Sequence, residues 1–498
     1  MSGGKFTSAT SAADLIKDGD TIAICGSGGG LLEPDVLLAA IEHRFLTTGH
    51  PRNLTLIHAQ GIGDRQNRGL NRLAHEGLVK RVIGGHWTWS PRMQELAYSN
   101  KIEAYALPGG AISLLLRETG AGRPGLFSTL GLGTFVDPRL QGGRMNEVTK
   151  EPLIDLVTID GQTLLHYKPL PINVAILRGT SSDPKGNISF EHEPANLDAY
   201  ALALAAHHQR GLTLVQVERK VDLKTRTARD IILPAALITT IVRAENQPQS
   251  HMQDQDYSSD IGLGSNVQAQ TPPPLPKGLR GWIARRAARE APDHGVVAFG
   301  FGIPDGVYAY LAQEPKPDLI MTIDHGVTGG QFLNGDLFGF VRNPDSILNA
   351  TDQLDFYHGG GIDIAFLGFG EVDASGNVNA SMIGGKSVGP GGFMDIVHGA
   401  RKIVFCGTFD ALGSKANITG DEIKITEQGS VKKFVKTLAQ ITFNAETALQ
   451  AYKQILYVTE RAVFKLQDNG LTLIELSKGI DLHKDVLERM DFMPEIEI

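Results

Sequence analysis

The chain has 498 residues, of which 42% are hydrophobic and 20% charged, a balance typical of a globular protein with a large core and two domains rather than one. Its formal net charge of -8 argues against a nucleic-acid partner, because phosphate contacts require a basic surface. The apolar runs at 199–206 and 231–242 are shorter than the roughly 20 residues of a membrane span, so no membrane partner is expected.

The N-terminal residues lack the basic start and apolar stretch of a secretory signal, and the chain contains only two cysteines, Cys25 and Cys406. Both features favour a reducing cytoplasm. Each cysteine lies in or at the end of an apolar segment, so both are predicted to be core residues rather than nucleophiles.

The two halves of the chain open in the same way, with a helix, a strand, a glycine turn and another helix. In the first half these are predicted at 11–17, 20–25, 26–30 and 36–45. In the second half they are predicted at 283–290, 295–299, 300–304 and 307–313. The repeated order indicates an internal duplication of architecture.

Beyond these openings, short runs rich in Val, Ile and Leu alternate with helical patterns. The predicted strands are 53–58, 174–178, 212–217, 319–323, 362–368 and 402–406. Continuous apolar strands separated by helices indicate a mainly parallel sheet that is covered on both faces. We therefore predict an α/β fold, with ligands bound beyond the carboxyl ends of the strands, where the glycine turns fall.

The clearest boundary is a polar, proline-rich segment that cannot bury enough apolar surface to fold alone. It predicts an N-terminal domain at 1–245, a linker at 246–276 and a C-terminal domain at 277–498. Such a pair of domains favours an active site in the cleft between them.

The glycine turn at 300–304 follows a strand and precedes a helix, so its backbone N–H groups and the helix dipole can hold an anion. The dinucleotide fingerprint is missed, because Asp305 stands where the third glycine belongs. A turn that serves only chain geometry is the alternative.

Asp324 ends a predicted strand, just before a flexible glycine-containing segment. A carboxylate in this place can be a nucleophile, a general base or a metal ligand, or it can simply cap a turn. His325 would point to the opposite side if the strand continued, so the two residues need not form a pair.

The densest glycine loop, 384–393, offers backbone N–H groups for an oxyanion, with a lid of no chemical role as the alternative. Ser387 in this loop is an improbable nucleophile, because Pro390 follows where a nucleophile elbow needs a helix. Glu371 is a second carboxylate candidate or a solvated turn residue. His86 is predicted to be a turn or pocket-wall residue, and no phosphate-loop or metal-helix motif is present, so no metal is expected.

Taken together, these features resemble the family I CoA-transferases of the propionate and acetate CoA-transferase type, over nearly the whole length of the chain. The matching segments are 69–78, 81–86, 131–138, 300–304, 355–361, 391–396 and 456–464. The resemblance implies two similar open α/β CoA-transferase domains, acyl-CoA and carboxylic acid substrates, no tightly bound cofactor, coenzyme A as a substrate and a homo-oligomer.

The family implies a ping-pong reaction in which a glutamate carboxylate attacks an acyl-CoA, becomes a glutamyl-CoA thioester and passes CoA to a second acid. At the matching position this chain has Asp324. The family pattern also implies that Gly391 and Gly392 approach the thioester and supply an oxyanion N–H. It implies a loop along CoA made of Gly300, Phe301, Gly302, Ile303 and Pro304.

Two departures from the family pattern bear on the reaction. Loss of one methylene at Asp324 withdraws the carboxylate by roughly 1.5 Å and can admit water. Gly109 stands where the family commonly has glutamine, which would enlarge or reshape the acyl pocket. The leading hypothesis is therefore a CoA-transferase for short or medium carboxylic acids. The alternatives are a hydrolase of CoA thioesters or CoA-linked diketones and a non-catalytic CoA-binding protein.

Overall fold

The computed structural model describes residues 5–222, 227–252, 257–262, 271–314, 316 and 318–498. Two large sheets dominate these residues, one in each half of the chain. Helices cover both. The α-helices are Ala9–Ala13, Asp35–Thr48, Pro91–Tyr98, Gly109–Gly120, Ala199–His208, Gly278–Ala288, Ile303–Gln313, Ala350–His358, Phe393–Gly399 and Ala445–Gln450.

The sheet of the first half is parallel along its main path. In spatial order its strands are Phe6–Thr7, Thr240–Arg243, Leu212–Lys220, Val174–Ser182, Thr21–Ile24, Leu54–His58, Val79–Gly84 and Glu103–Ala106. Two short antiparallel strands, Ile188–Ser189 and Ile231–Leu233, extend one side. The central strand Val174–Ser182 is buried at every position, because helices cover both faces of the sheet.

The sheet of the second half has a parallel centre and antiparallel pairs on both sides, and its last pair, at Glu495–Ile496, is again parallel. In spatial order its strands are Ser346–Ile347, Val327–Thr328, Asp318–Ile323, His294–Phe299, Ile362–Gly368, Ala400–Cys406, Gln454–Val458, Ala462–Gln467, Gly470–Leu476 and Glu495–Ile496. Their buried Ile, Val and Phe side chains each contribute roughly 1.5–3 kcal/mol of burial free energy.

Both halves also contain smaller sheets. Leu126–Ser128, Ile154–Ile159 and Gln162–Tyr167 form a three-stranded sheet in the first half. In the second half the two-stranded pairs are Gln331–Phe332 with Val341–Arg342, Glu371–Val372 with Val378–Asn379, Met382–Ile383 with Lys386–Ser387, Asp410–Ala411 with Val431–Lys432, and Lys415–Thr419 with Glu422–Glu427.

The two halves share one arrangement at their centres. In the first, Thr21–Ile24 lies between Val174–Ser182 and Leu54–His58; in the second, His294–Phe299 lies between Ile362–Gly368 and Asp318–Ile323. Each central strand runs into a glycine turn and then a helix. The predicted α/β class, the mainly parallel sheets and the repeated opening are therefore confirmed.

The predicted linker is described only in part, since 253–256 and 263–270 lie outside the described residues. Its first residues pack on the N-terminal half: Gln249 and Ser250 are buried, and Gln249 Nε2 donates to the His192 carbonyl at 2.7 Å. The domain boundaries at 245 and 277 stay a prediction. Within the described residues no helix combines the length and the apolar character needed to cross a membrane.

Candidate active site

A cavity of about 430 Å³ lies where the carboxyl ends of the two sheets meet. The first half contributes residues that follow its strands, among them Gly28, Gln60 and His86. The second half contributes residues from several of its loops, among them Phe301, Asp324 and Gly391. Of the predicted site residues, Gly300, Phe301, Asp324, Gly391 and Gly392 line this cavity.

Asp324 lies directly after the strand Asp318–Ile323 and is only 7% exposed. Gly392 is pressed against its carboxylate, because a Cβ on Gly392 would lie 1.8 Å from Asp324 Oδ2. Only a residue without a side chain leaves room for the carboxylate at this point. The glycine therefore serves to let backbone approach the carboxylate closely.

Burial is the main influence on the Asp324 carboxyl and raises its pKa above the ordinary value of 3.8. The nearby His325 and a hydrogen bond from Gln60 lower the pKa, whereas the negative charge of Asp395 raises it further. The net effect is that the Asp324 carboxylate is more basic than the carboxylate of an exposed aspartate. Such a group is a stronger nucleophile once it is ionised.

His325 shares the cavity with Asp324, which the sequence argument did not predict. The strand ends at Ile323, so the alternation of a continuing strand does not apply. His325 Nε2 lies 4.0 Å from Asp324 Oδ1 and 3.1 Å from Ser27 Oγ of the first half. The signal in the sequence was Gly326, whose φ of 94° marks the turn that ends the strand.

Gly391 joins the two halves through its backbone. Its N–H donates to the Gly85 carbonyl at 2.8 Å, and its carbonyl accepts the Gly109 N–H at 2.8 Å. The Gly391 N–H is therefore already engaged by protein. The Gly392 N–H donates to no protein acceptor within the described part of the chain, so it is the available donor of this pair.

The prediction that Gly109 enlarges or reshapes the acyl pocket stays a prediction, while the structure shows a packing role for this glycine. Gly109 does not belong to the described residues that line the cavity, and it begins the helix Gly109–Gly120. A Cβ on Gly109 would lie 2.8 Å from the Ala59 carbonyl oxygen and 3.2 Å from that of Gly391. The missing side chain therefore permits close packing of backbone between the halves.

The predicted CoA loop lies partly in the cavity. Gly300 and Phe301 line it, and Phe301 is 53% exposed. Gly302 has a φ of 101° and caps the helix Ile303–Gln313, which contains Ile303 and Pro304 in its first turn. Gly302, Ile303 and Pro304 are thus adjacent to the cavity along the chain but do not belong to its described lining.

The mouth of the cavity also holds residues that the sequence did not single out. Arg65 of the first half lies over the Trp89 ring, 4.1 Å from its centre, and pairs with Asp336 of the second half at 3.0 Å. These residues come from loops whose spacing carries no motif. His86 forms part of the wall, as predicted, and burial lowers its pKa to about 4.

The remaining candidates lie outside this lining. Cys25 and Cys406 are buried core residues, as predicted. Ser387 is 1% exposed in the short strand Lys386–Ser387. Glu371 accepts the Asn379 amide at 2.8 Å and the Ala439 N–H at 3.0 Å, which is a structural role. In the described residues no group of three or more His, Cys, Asp or Glu is arranged to hold a metal ion.

Comparison with known proteins identifies the family. A family model described as Coenzyme A transferase matches residues 6–244. The acetate CoA-transferase YdiF of Escherichia coli (strain K12) is 42% identical, over 98% of this chain and 92% of that protein. The chain belongs to the CoA-transferase family. The caffeate CoA-transferase of Acetobacterium woodii is 39% identical, over 99% of this chain and 95% of that CoA-transferase.

A crystal structure of the acyl-CoA transferase YdiF from Escherichia coli O157:H7 has the same fold, with a TM-score of 0.93 and 40% identity over 99% of this chain and 93% of that one. The protein is therefore an enzyme with CoA-transferase activity, and CoA is its substrate. Of the three hypotheses from the sequence, these relatives support the transferase over the hydrolase and the non-catalytic binding protein.

Proposed function

We propose that Asp324 is the nucleophile of a ping-pong CoA transfer from an acyl-CoA to a short or medium carboxylic acid. The observation that carries the proposal is the buried Asp324 carboxylate, at a strand end in the cavity that both sheets share. Carboxylates in such cavities are suited to covalent catalysis.

In the first step a carboxylate oxygen of Asp324 attacks the thioester carbonyl carbon. The carbon–sulfur bond breaks, CoA leaves as the thiolate, and an anhydride joins Asp324 to the acyl group. The thiolate then attacks the Asp324 carbonyl carbon and expels the acid product, which leaves an aspartyl-CoA thioester. The acceptor acid reverses these two steps.

Each step builds negative charge on an oxygen, and donors must face that oxygen. We assign this role to the Gly392 N–H, which lies beside the carboxylate and has no described protein acceptor. Gly391 holds the loop across the halves instead of donating to substrate. CoA lies along Gly300 and Phe301 in this proposal, beside the start of the helix Ile303–Gln313.

Burial also bears on the competition between transfer and hydrolysis. Asp324 is 7% exposed, and the cavity wall around it includes the apolar side chains of Trp89, Phe338 and Ile383. Such a wall limits the water that reaches a thioester, so transfer is expected to exceed hydrolysis despite the shorter carboxylate.

The identity of the acids is also a proposal. Two relatives with similar sequence identity to this chain are named for acids of different size, one for acetate and the other for caffeate. The apolar wall of the cavity suits an aliphatic or aromatic acyl group better than a charged one. Initial rates with acetate, butyrate, hexanoate and a cinnamate as acceptors test which of these acyl groups the cavity prefers.

The covalent intermediate gives the sharpest test of Asp324. Intact protein is incubated with acyl-CoA and no acceptor, and its mass is expected to rise by that of CoA less one water. Peptide mapping should place the adduct on Asp324. Asp324→Asn should form none, whereas Asp355→Asn, a matched change at a carboxylate paired with Arg117, should retain it. An adduct on another residue refutes the assignment.

Turnover is then followed with and without acetate, by free thiol and by acetyl-CoA. Acetate-dependent exchange without thiol release is the expected outcome. Thiol release that ignores acetate would instead establish hydrolysis as the main reaction.

A cytoplasmic homo-oligomer completes the proposal. Both cysteines are buried and free, which is consistent with a reducing compartment. Light scattering of the purified chain tests the oligomer, for which a mass equal to one chain would be the contrary result.

A further inference from the structure

A second cavity, of about 310 Å³, lies in the first half of the chain. Its walls are mainly polar and include Arg68, Arg72, Arg178, Gln216 and His251, together with one carboxylate, Asp35. Arg178 and Gln216 lie on the neighbouring parallel strands Val174–Ser182 and Leu212–Lys220. The cavity therefore lies beside two inner strands of the first sheet, among residues that the proposed transfer reaction does not use.

The position of this cavity in the first half corresponds to that of the active cavity in the second half. In the second half, the active cavity is lined by residues beyond the ends of His294–Phe299 and Ile362–Gly368. The equivalent strands of the first half are Thr21–Ile24 and Val174–Ser182, which also pair in parallel. The second cavity lies beyond the end of this pair, which is the position where open α/β sheets bind ligands.

The cations of the wall are not all neutralised. Arg72 binds Asp35 at 2.7 Å, and Arg178 Nε binds Glu193 at 3.1 Å. Arg178 Nη2, however, has no hydrogen-bond partner among the described residues, although its side chain is only 2% exposed. The Arg68 guanidinium has no carboxylate partner in the described part of the chain.

Glu193 engages Arg178 Nε, and Nη1 lies 3.5 Å from the Gly30 carbonyl oxygen, so Nη2 is the nitrogen of this guanidinium that remains available to a ligand. A bound acceptor would complete its hydrogen bonding. Planar guanidinium groups match the two oxygens of a carboxylate or the oxygens of a phosphate. We propose that this cavity is a second ligand site, which binds a small carboxylate or phosphate anion between Arg68 and Arg178 and communicates with the active cavity through the Gly28–Gly30 turn.

The Gly28–Gly30 turn separates the two cavities. Gly28 lines the active cavity. On the other side, the Gly29 carbonyl accepts the Ser250 hydroxyl at 2.9 Å and the His251 N–H at 2.7 Å, and both of these residues line the second cavity. An anion that contacts this wall is therefore expected to alter the position of Gly28 and the KM for acyl-CoA. This coupling rests on the proposed active cavity, whereas the anion site itself does not.

The site is tested on the full chain by titrating inorganic phosphate and, separately, acetate at constant ionic strength in chloride. The unfolding midpoint is recorded, since a ligand of the folded state raises it. Arg68→Gln removes one cation from the wall, and Asn246→Asp adds a negative charge to the same wall at an exposed position. Arg92→Gln, on the exposed side of another helix, is the matched control.

We expect the anion concentration of half-maximal response to rise at least fivefold in Arg68→Gln and Asn246→Asp, and to stay within twofold in Arg92→Gln. The anion that acts at the lower concentration identifies carboxylate or phosphate as the ligand class. If Arg68→Gln responds to the anions at the same concentrations as the unchanged chain, the proposed anion site is refuted. Because this titration needs no turnover, its result is independent of the role of Asp324.

The coupling is tested by measuring the KM for acyl-CoA at increasing phosphate. Phosphate that competes directly for the CoA site raises the KM equally in the unchanged chain and in Arg68→Gln. A change in KM that is present in the unchanged chain and lost in Arg68→Gln supports communication through the Gly28–Gly30 turn. Identical KM curves for the two proteins would overturn the coupling.

Discussion

Replacing Gly392 by alanine tests the contact between the glycine loop and Asp324, the proposed nucleophile. The added Cβ would lie 1.8 Å from Asp324 Oδ2, well below the 3.0 Å that Cβ contacts keep in practice. The φ of -84° at Gly392 is suitable for alanine, so backbone strain does not contribute. The methyl group must therefore displace the carboxylate, the loop or both by more than about 1 Å.

A misplacement of about 1 Å in a near-attack geometry can lower the rate about 100-fold. We expect kcat for CoA transfer to fall by about this factor in Gly392→Ala, with a smaller change in the KM for acyl-CoA. Gly368→Ala is the control, because Gly368 lines the same cavity and its Cβ would meet nothing nearer than 3.8 Å. A loss below threefold in Gly392→Ala, or an equal loss in Gly368→Ala, would refute the argument.

Five further expectations concern charge and reach. Because only ionised Asp324 is nucleophilic and burial raises its pKa, kcat/KM should fall with decreasing pH around a midpoint above 3.8, the ordinary value. Removing the negative charge of Asp395 in Asp395→Asn lowers the pKa of Asp324 and should move this acid limb to lower pH, whereas Asp355→Asn should leave it in place. Because the pKa of Asp324 is higher in the folded than in the unfolded chain, ionisation of this carboxyl lowers the stability of the folded state as the pH rises above the unfolded-state pKa. Asp324→Asn should therefore raise the unfolding midpoint at pH 7 more than at pH 4. Asp324→Glu restores about 1.5 Å of reach and should increase the ratio of acetyl-CoA to free thiol. Arg461 is completely buried between Asp410 and Glu460, so Arg461→Ala should lower the free energy of unfolding by about 3–5 kcal/mol in denaturant titrations, and a loss below about 1 kcal/mol would contradict this.

The strands were predictable because sheets covered on both faces need continuous apolar runs. The segment 53–58 became the strand Leu54–His58, and 362–368 matched Ile362–Gly368. Val174–Ser182 extends beyond the predicted 174–178, because Gly179, Thr180 and the serines that follow are buried by tertiary contacts that their polarity does not signal.

The site was predictable only where a local motif carried it. Asp324 and Gly392 belong to segments that match the family, and the structure places them side by side. The packing role of Gly109 was not predictable, because it depends on backbone from Ala59 and Gly391, both far away in the chain. Arg178 and Arg68 line one cavity for the same reason, since no spacing in the sequence reveals that the fold brings them together there.

The backbone bonds of Gly391 to Gly85 and Gly109 have a consequence for the order of synthesis. The first half, which supplies one wall of the active cavity, is translated before Asp324 and Gly391. An incomplete chain that ends before Asp324 therefore lacks the carboxylate that lines the cavity in the complete chain. With Asp324 as the proposed nucleophile, reaction with acyl-CoA requires the second half to be present and packed on the first.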